Sequence, residues 1–130
     1  MHNKSIGMIS TDSGRSELNF SEKNDCTVRA LAEALEIPYL TAYGMMLGSG
    51  RKRNRGVRSL AVYNTVGNRH DRPNMTVENY VKYIANSGNW IINIRGHVFA
   101  VVNGVIKDLH PEMTLNCHVI QSWRIIEAKS

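Results

Sequence analysis

The fold is decided by the stretch HVFAVVNGVIKD, residues 97–108, in which two apolar runs flank an Asn-Gly pair. Asn103 and Gly104 both accept a positive φ, so this pair is the strongest short-range signal for a two-residue β-hairpin. Such a turn fixes which residues face each other: Val102 and Val105, Val101 and Ile106, Phe99 and Asp108, and His97 and His110. The sequence therefore predicts two antiparallel strands joined at residues 103–104.

The predicted register brings a histidine and a carboxylate together. Side chains along a strand alternate between the two faces of a sheet, so His97 and Asp108 share one face. That face also carries Phe99, Val101, Ile106 and His110. Diagonal neighbours lie about 7–8 Å apart between backbones, close enough for a carboxylate to bond an imidazole. Because the opposite face is almost wholly apolar, we expect the sheet to pack on one side only.

His97 and Asp108 are candidates for a base and its orienting acid. A carboxylate that bonds one ring nitrogen orients the imidazole and stabilises its protonated form. The other nitrogen is then free to act as a base. Two alternatives stay open: the pair is only a structural hydrogen bond at a strand end, or His110 competes for the same carboxylate.

Helical periodicity dominates the chain before the hairpin. After a cluster of capping residues at 21–25, the pattern predicts a first helix that buries Val28, Leu31, Ala32 and Leu35. Pro38 separates it from a second helix, whose expected buried residues are Leu40, Tyr43, Met46 and Leu47. Thr76 and Gly88 are the expected N-cap and terminator of a third helix, which presents Val77, Tyr80, Val81 and Ile84.

Strand-forming residues dominate the last part of the chain, at 90–94, 97–102, 105–109 and 119–126. Residues 1–20 predict an irregular arm or a short strand pair, 57–68 fit helix or strand, and 68–74 predict a polar loop. Helices first and strands last indicate an α+β fold, with N-terminal helices packed on a C-terminal antiparallel sheet. A length of 130 residues fits one domain, residues 1–130.

Cys26 falls in the first turn of the first predicted helix. The helix dipole lowers a thiol pKa there, exposed backbone N–H groups can stabilise an oxyanion, and a neighbouring imidazolium activates the thiolate further. We expect this helix to bring Cys26 to the face that carries His97 and Asp108. A small buried cysteine is the alternative, and the Asp25 carboxylate would disfavour the thiolate. Cys117 is expected to serve packing.

The order of Cys26, Gly96-His97 and Asp108, with the Asn-Gly hairpin between the last two, resembles the papain-like cysteine peptidase superfamily in compact form. The resemblance covers residues 19–109. It implies a papain-like fold and a cysteine-dependent hydrolase or acyltransferase, most simply a small thiol peptidase acting on a protein or peptide. In that reading Cys26 is the nucleophile, His97 the base and Asp108 the orienting acid. The run NDCTVRA, residues 24–30, also resembles small bacteriophage-encoded proteins.

One position departs from that superfamily. Its members usually carry a Gln a few residues before the cysteine, whose amide completes the oxyanion hole, and this chain has none there. Asn19 and Asn24 are the available amides. Losing one oxyanion donor typically costs about 100- to 1,000-fold in turnover. A weakly active or inactive papain-like binding protein is therefore the alternative function.

A basic loop would give such a binding protein its contact surface. Five cations lie within residues 51–58, namely Arg51, Lys52, Arg53, Arg55 and Arg58. Such cations contact phosphate groups without recognising the base sequence. The binding protein would therefore hold nucleic acid or an acidic protein as its partner. The loop is otherwise a solvated connector, or it holds an acidic substrate over the cleft.

Composition says more about the cellular compartment of the protein than about the reaction it catalyses. The net charge of +5, the 42% hydrophobic share and the 21% charged share are ordinary for a globular protein. Two cysteines are too few for a secreted disulfide scaffold, and the sequence has neither a secretory signal nor a membrane-length apolar run. We therefore expect a cytoplasmic protein, in the host cytoplasm if it is viral, that binds no membrane.

Cofactor and metal sites are not indicated. The chain has no glycine-rich phosphate loop of the P-loop or dinucleotide kind. No familiar zinc pattern fits the spacing of Cys26, His97, Asp108, His110, Cys117 and His118. We therefore expect neither a cofactor nor a metal.

Overall fold

Helices and strands alternate irregularly along the chain in the computed structural model, which describes residues 6–14, 25–48, 61–71 and 73–126. Within these ranges the four α-helices are α1 Cys26–Leu35, α2 Tyr39–Gly48, α3 Ala61–Val66 and α4 Val77–Tyr83. The six strands described are β1 Gly7–Ser10, β2 Gly67–Asp71, β3 Asn89–Ile94, β4 His97–Val102, β5 Val105–Asp108 and β6 Gln121–Ile125. A 3-10 helix, Pro111–Thr114, follows β5.

The six strands form one mixed sheet in the order β1-β5-β4-β3-β6-β2. Strand β1 runs parallel to β5, and the other pairings are antiparallel. The predicted α+β class is confirmed. The prediction of a C-terminal antiparallel sheet is wrong at both edges, because β1 lies in the predicted arm and β2 in the predicted polar loop.

Exposure explains why the sequence did not reveal the two edge strands. All residues of β1 are exposed, and in β2 only Gly67 is buried. Exposed strands do not need the alternating apolar residues that mark a half-buried strand. Gly67 meets a steric demand instead, since a Cβ at this position would lie 2.8 Å from the Arg124 carbonyl oxygen.

The hairpin at residues 103–104 is confirmed. Asn103 and Gly104 have φ angles of 50° and 80°. Strands β4 and β5 pair in the predicted register, with Val102 facing Val105, Val101 facing Ile106 and Ala100 facing Lys107. The predicted pairing of His97 with His110 is wrong. Strand β5 ends at Asp108, and Pro111 begins a 3-10 helix with His110 as its N-cap, which ends the extended conformation.

Helices α1 and α2 follow the predicted segments but differ in which residues they bury. Three predicted residues of α1 are buried, whereas Leu35 is half-buried. Helix α2 buries Tyr39, Ala42 and Met46. Contrary to prediction, Leu40 and Leu47 are exposed. Almost every position of α2 is apolar, so its sequence does not show which side turns inward.

Helix α4 begins where predicted and ends early. The Asn79 N–H donates to the Thr76 hydroxyl at 3.3 Å, which confirms the N-cap. The helix ends at Tyr83, five residues before the predicted terminator, and Ile84 is exposed. Gly88 serves the hairpin instead, because its carbonyl oxygen accepts the Asn103 N–H at 2.8 Å.

Apolar side chains pack on both faces of the sheet. On one face, α1, α2 and α3 pack with Val98 and Ala100 of β4. On the other face, α4 packs with Phe99, Val101 and Ile106. The prediction of one-sided packing is wrong, because α4 covers the face that shares its alternation with His97 and Asp108. His97 and Asp108 lie at the strand ends, beyond the apolar residues that α4 covers.

Candidate active site

His97 and Asp108 meet at the end of the hairpin remote from its turn. Nε2 of His97 lies 2.6 Å from Oδ2 of Asp108, so the predicted contact is present. Asp108 is 4% exposed, and its Oδ1 accepts the Leu109 N–H at 2.8 Å and Nη1 of Arg29 at 3.1 Å. His110, the predicted competitor, is exposed, and the described partners of this carboxylate do not include it.

Cys26 is the first residue of α1, as the capping pattern predicts. The His97 ring and the Val98 N–H lie near enough to this thiol to lower its pKa. Because Asp108 occupies Nε2 of the ring, Nδ1 is the nitrogen left for the thiol. The imidazole therefore stands between a thiol and a carboxylate.

Cys26 approaches His97 from a different side than predicted. It packs beside the core cluster that contains Val98 and Ala100. The His97 ring lies instead beside Phe99, with ring centroids 6.1 Å apart, on the α4 side. The prediction that α1 brings Cys26 to the Phe99 face is therefore wrong. Cys26 and His97 meet where β4 begins, because His97 is its first residue and the strand separates the two packed faces of the sheet only beyond this point.

The hydrogen bonds of Cys26 and His97 favour the charged forms of both groups. The bond to Asp108, with a second bond to Cys26, raises the pKa of His97 to about 9 although burial opposes the rise. Burial raises the pKa of the Cys26 thiol, but the bonds from His97 and Val98 and the charges of His97 and Arg29 outweigh it and lower that pKa. At neutral pH His97 is an imidazolium, and its charge favours the thiolate.

Asp108 keeps its negative charge in spite of its burial. Burial raises the pKa of this carboxyl, whereas the hydrogen bond and charge of His97, the Leu109 N–H and the Arg29 guanidinium together bring it below the ordinary value. A carboxylate in this position stabilises the imidazolium and holds the ring in one orientation. The site can therefore hold a thiolate and an imidazolium side by side.

Arg29 belongs to the site although the sequence analysis did not select it. It is 8% exposed, and its Nε bonds Oδ1 of Asp25 at 2.9 Å while Nη1 bonds Asp108. The available signal was an arginine among small apolar residues, four positions after an aspartate, since residues four apart lie on one side of a helix. Asp25, expected to oppose the thiolate, bonds this guanidinium and the Tyr39 hydroxyl.

Tyr63 of α3 fixes the first turn of α1. Its hydroxyl donates to the Thr27 carbonyl oxygen at 2.7 Å, and its side chain is fully buried. Burial raises the pKa of Tyr63 well above its ordinary value, and the negative charge of Cys26 adds to the rise while Arg29 opposes it. The phenol therefore stays neutral and remains a donor beside the thiolate.

A pocket of about 240 Å³ opens beside the His97–Asp108 pair. Its walls come from the ends of β3 and β5 and from the 3-10 helix. The lining residues are Arg29, Ile94, His97, Asp108, Leu109, His110, Met113 and Thr114. A cavity of this size holds a group comparable to one amino-acid side chain, and its outer wall is largely apolar.

Seven predicted residues lie outside the described ranges: the oxyanion candidates Asn19 and Asn24, and the basic-loop residues Arg51, Lys52, Arg53, Arg55 and Arg58. Cys117 is described and does not join the site. It packs beside the α4 core cluster, and its sulfur lies 3.8 Å from the Met113 carbonyl oxygen. Its predicted role in packing is confirmed.

Comparison with known proteins gives no relative from which a function can be transferred. No family model, no curated protein and no solved structure matches the chain. Among the residues described, no three His, Cys, Asp or Glu side chains are grouped as a metal ion would require. No helix in the described ranges has the length and apolar character needed to cross a membrane.

Proposed function

We propose that this protein is a cysteine-dependent hydrolase or acyltransferase, most simply a small thiol peptidase of the papain-like kind. Cys26 is its nucleophile, His97 its base and acid, and Asp108 the group that orients His97. One observation carries the proposal: Nε2 of His97 lies 2.6 Å from the buried Asp108 carboxylate, and the His97 ring and the Cys26 thiol each shift the pKa of the other toward the charged form.

The first half of the reaction acylates Cys26. The thiolate sulfur attacks a substrate carbonyl carbon, so a carbon–sulfur bond forms and the carbonyl oxygen becomes an oxyanion. When this intermediate collapses, the bond to the leaving group breaks, and His97 gives its Nδ1 proton to the leaving amine. Cys26 is then a thioester and His97 is neutral.

The second half of the reaction releases the acyl group. Neutral His97 takes a proton from water through Nδ1 while the water oxygen attacks the thioester carbon. The carbon–sulfur bond breaks, the carboxylic acid product leaves, and the thiolate–imidazolium pair is restored. An amine in place of water completes an acyl transfer by the same steps.

The oxyanion needs hydrogen-bond donors near the start of α1. The first N–H groups of a helix have no acceptor within the helix, and Cys26 is the first residue of α1, so its own N–H is one candidate donor. The Val98 N–H lowers the pKa of the Cys26 thiol instead, and so favours the thiolate. Asn19 and Asn24 remain candidates for the second donor on sequence grounds.

The pocket borders the base and the acid of this mechanism but not its nucleophile. His97 and Asp108 line it, whereas Cys26 does not. Ile94, Leu109 and Met113 provide apolar walls. We therefore expect the pocket to accept an uncharged group of moderate size beside the His97 ring.

Labelling with an electrophilic peptide probe tests this function. Mass spectrometry of the labelled protein should find the probe on Cys26, and labelling should disappear in Cys26→Ala and fall sharply in His97→Ala. Cys117→Ala is the matched control and should label normally. Equal labelling of the two thiols, or labelling that does not depend on His97, would favour a papain-like protein that binds a partner without turnover.

A further inference from the structure

A buried chain of hydrogen bonds links the start of α1 to the end of β5. Its members, in order, are Tyr39, Asp25, Arg29, Asp108 and His97. The Tyr39 hydroxyl donates to Oδ2 of Asp25 at 2.8 Å, Arg29 bonds Asp25 at 2.9 Å and Asp108 at 3.1 Å, and His97 bonds Asp108 at 2.6 Å. Asp25 is 1% exposed, so the chain is shielded from water along most of its length.

Stability alone is a weak reason for such a chain. Removing a guanidinium and two carboxylates from water costs several kcal/mol for each ion, and apolar replacements of buried ion pairs are often neutral or stabilising. The Arg29 guanidinium bonds both carboxylates, and the second of them, Asp108, also bonds the His97 imidazole. The chain therefore ends on the candidate base.

The geometry of Arg29 connects the nucleophile to the acid. Arg29 lies on α1, one turn after Asp25 and three residues after Cys26, and it reaches Asp108 on β5. Oδ1 of Asp108 receives two donors, from Arg29 and from the Leu109 N–H, which leaves Oδ2 directed at His97. Any shift of this carboxylate would move the imidazole relative to the sulfur.

We propose that Arg29 is a positioning residue, which joins Asp25 at the start of α1 to Asp108 at the end of β5 and so holds the His97 imidazole against Cys26. This inference rests on the proposed function, because it assigns Arg29 a task in the Cys26–His97 pair. Lysine cannot replace it, since one ammonium group lacks the planar fork that bonds two carboxylates in fixed directions.

Two substitutions and one control test this role. Arg29→Met removes the fork and the charge, and Arg29→Lys removes the fork only. Lys107→Met is the matched control, because the ion pair of Lys107 with Glu33, at 3.7 Å, also joins β5 to α1 but is partly exposed and does not involve Asp108. All three are made in a Cys117→Ala background, so that Cys26 is the remaining thiol.

Two titrations are measured on each protein: the alkylation rate of Cys26 against pH, and the His97 ring by NMR. Among the residues that the structure describes, the charged groups that act on Cys26 are His97 from β4 and Arg29 from α1, with the neutral Tyr63 from α3. In Arg29→Met we expect alkylation at about pH 6 to fall tenfold or more. The pKa of His97 should fall from about 9 toward its ordinary value, because Asp108 is no longer held beside it.

The His97 titration separates positioning from simple electrostatics. If Arg29 acted only by its charge, its removal would take a positive group away from the site, and the pKa of His97 would stay high or rise. That result in folded Arg29→Met would overturn the inference. Lys107→Met should match the parent protein in both titrations, and an equal loss there would show a general loosening of α1 against β5, which also overturns it.

Arg29→Lys decides the matter if Arg29→Met does not fold. Titrations of Arg29→Lys that resemble those expected for Arg29→Met support the inference, and titrations that match the parent protein overturn it. Failure of the proposed function looks different, because then the parent protein itself would show an unactivated Cys26 and a His97 that titrates near its ordinary pKa. That result would overturn the inference with it.

Discussion

The two cysteines of this protein occupy similar packing environments with different chemistry. Cys26 and Cys117 are both half-buried, and they pack beside different core clusters. The pKa of the Cys26 thiol is lowered by the His97 imidazole and by the Val98 N–H, against the effect of burial. The Cys117 S–H donates to the Met113 carbonyl oxygen at 3.8 Å, and such an oxygen only accepts hydrogen bonds, so it does not stabilise a thiolate.

The difference shows that burial does not identify a reactive thiol. Donors and positive charges stabilise a thiolate, and they determine reactivity where exposure is the same. For Cys26 these groups are His97 and Val98 of β4, which lies far along the chain, and Arg29, which lies one helical turn further along α1. The tertiary fold therefore produces the difference, and the predictions below test it from the largest expected effect to the smallest.

Removing each thiol in turn gives the sharpest contrast. Hydrolysis is measured on a peptide with the same sequence as the electrophilic labelling probe. Cys26→Ala should lower its rate by about a million-fold, to background, because the nucleophile is lost. Cys117→Ala should stay within about twofold of the parent rate, as expected for a packing residue. Circular dichroism confirms that both variants fold. Activity that survives in Cys26→Ala, or is lost in folded Cys117→Ala, would contradict the assignment.

Neutralising Asp108 should have the next largest effect. Asp108→Asn keeps the shape of the side chain but removes the charge that orients and stabilises the imidazolium, so we expect turnover to fall about 1,000- to 10,000-fold. Asp71→Asn is the control, because Asp71 is an exposed carboxylate that bonds Arg69 at 2.7 Å. Steady-state rates on one peptide measure both, and a loss below tenfold in Asp108→Asn would exclude its orienting role.

The sequence contained the signals for the central part of this site. The Asn103-Gly104 turn sets the strand register that joins His97 to Asp108, and the capping cluster before Cys26 marks the start of α1. These signals are local, since a turn and a helix end are specified within a few residues. The hairpin and the start of α1 were therefore predictable.

Other parts depended on contacts that no local pattern records. Strands β1 and β2 are exposed edges held by backbone pairing, so they lack an apolar alternation. Helix α4 covers the second face of the sheet through tertiary packing, which no local sequence pattern records. Arg29 was missed because charged residues are rarely buried, and its two carboxylate partners meet only after folding.

Alkylation kinetics should separate the two thiols in the parent protein by a smaller factor. At about pH 6 we expect Cys26 to react roughly tenfold faster than Cys117 or more, because its lowered pKa preserves thiolate as the pH falls. Mass spectrometry of peptides after timed iodoacetamide treatment measures both rates in one sample. In His97→Ala the advantage should shrink strongly, and an advantage that persists there would attribute the reactivity to exposure alone.

The pH dependence of stability offers the smallest contrast. The pKa of His97 is raised from 6.5 to about 9 on folding, so its stabilisation is complete below pH 6.5 and is lost as the pH rises through about 9. The pKa of Cys26 is lowered, so its stabilisation is lost as the pH falls and returns as the pH rises. The two contributions therefore oppose each other between these pH values.

Cys26→Ala removes the compensating contribution and keeps the part of the His97 contribution that comes from Asp108. Its free energy of unfolding should decline more steeply than that of the parent protein between about pH 6.5 and 9, by an amount on the order of 1 kcal/mol. Urea unfolding at several pH values measures the slope. Cys117→Ala should follow the parent protein, and identical slopes in all three proteins would mean that Cys26 and His97 are not coupled.

The parallel pairing of β1 with β5 joins the two ends of a long stretch of chain at the site. The Thr11 N–H bonds the Asp108 carbonyl oxygen at 2.8 Å, and the Ser10 hydroxyl donates to the Leu109 carbonyl oxygen at 2.7 Å. A segment synthesised before α1 thus secures the strand that carries the acid. Such distant contacts form slowly, because closing a long loop costs entropy before the contact is made. His97 and Asp108 follow Cys26 by 71 and 82 residues, so during synthesis the thiol is without them until residue 108 has been made.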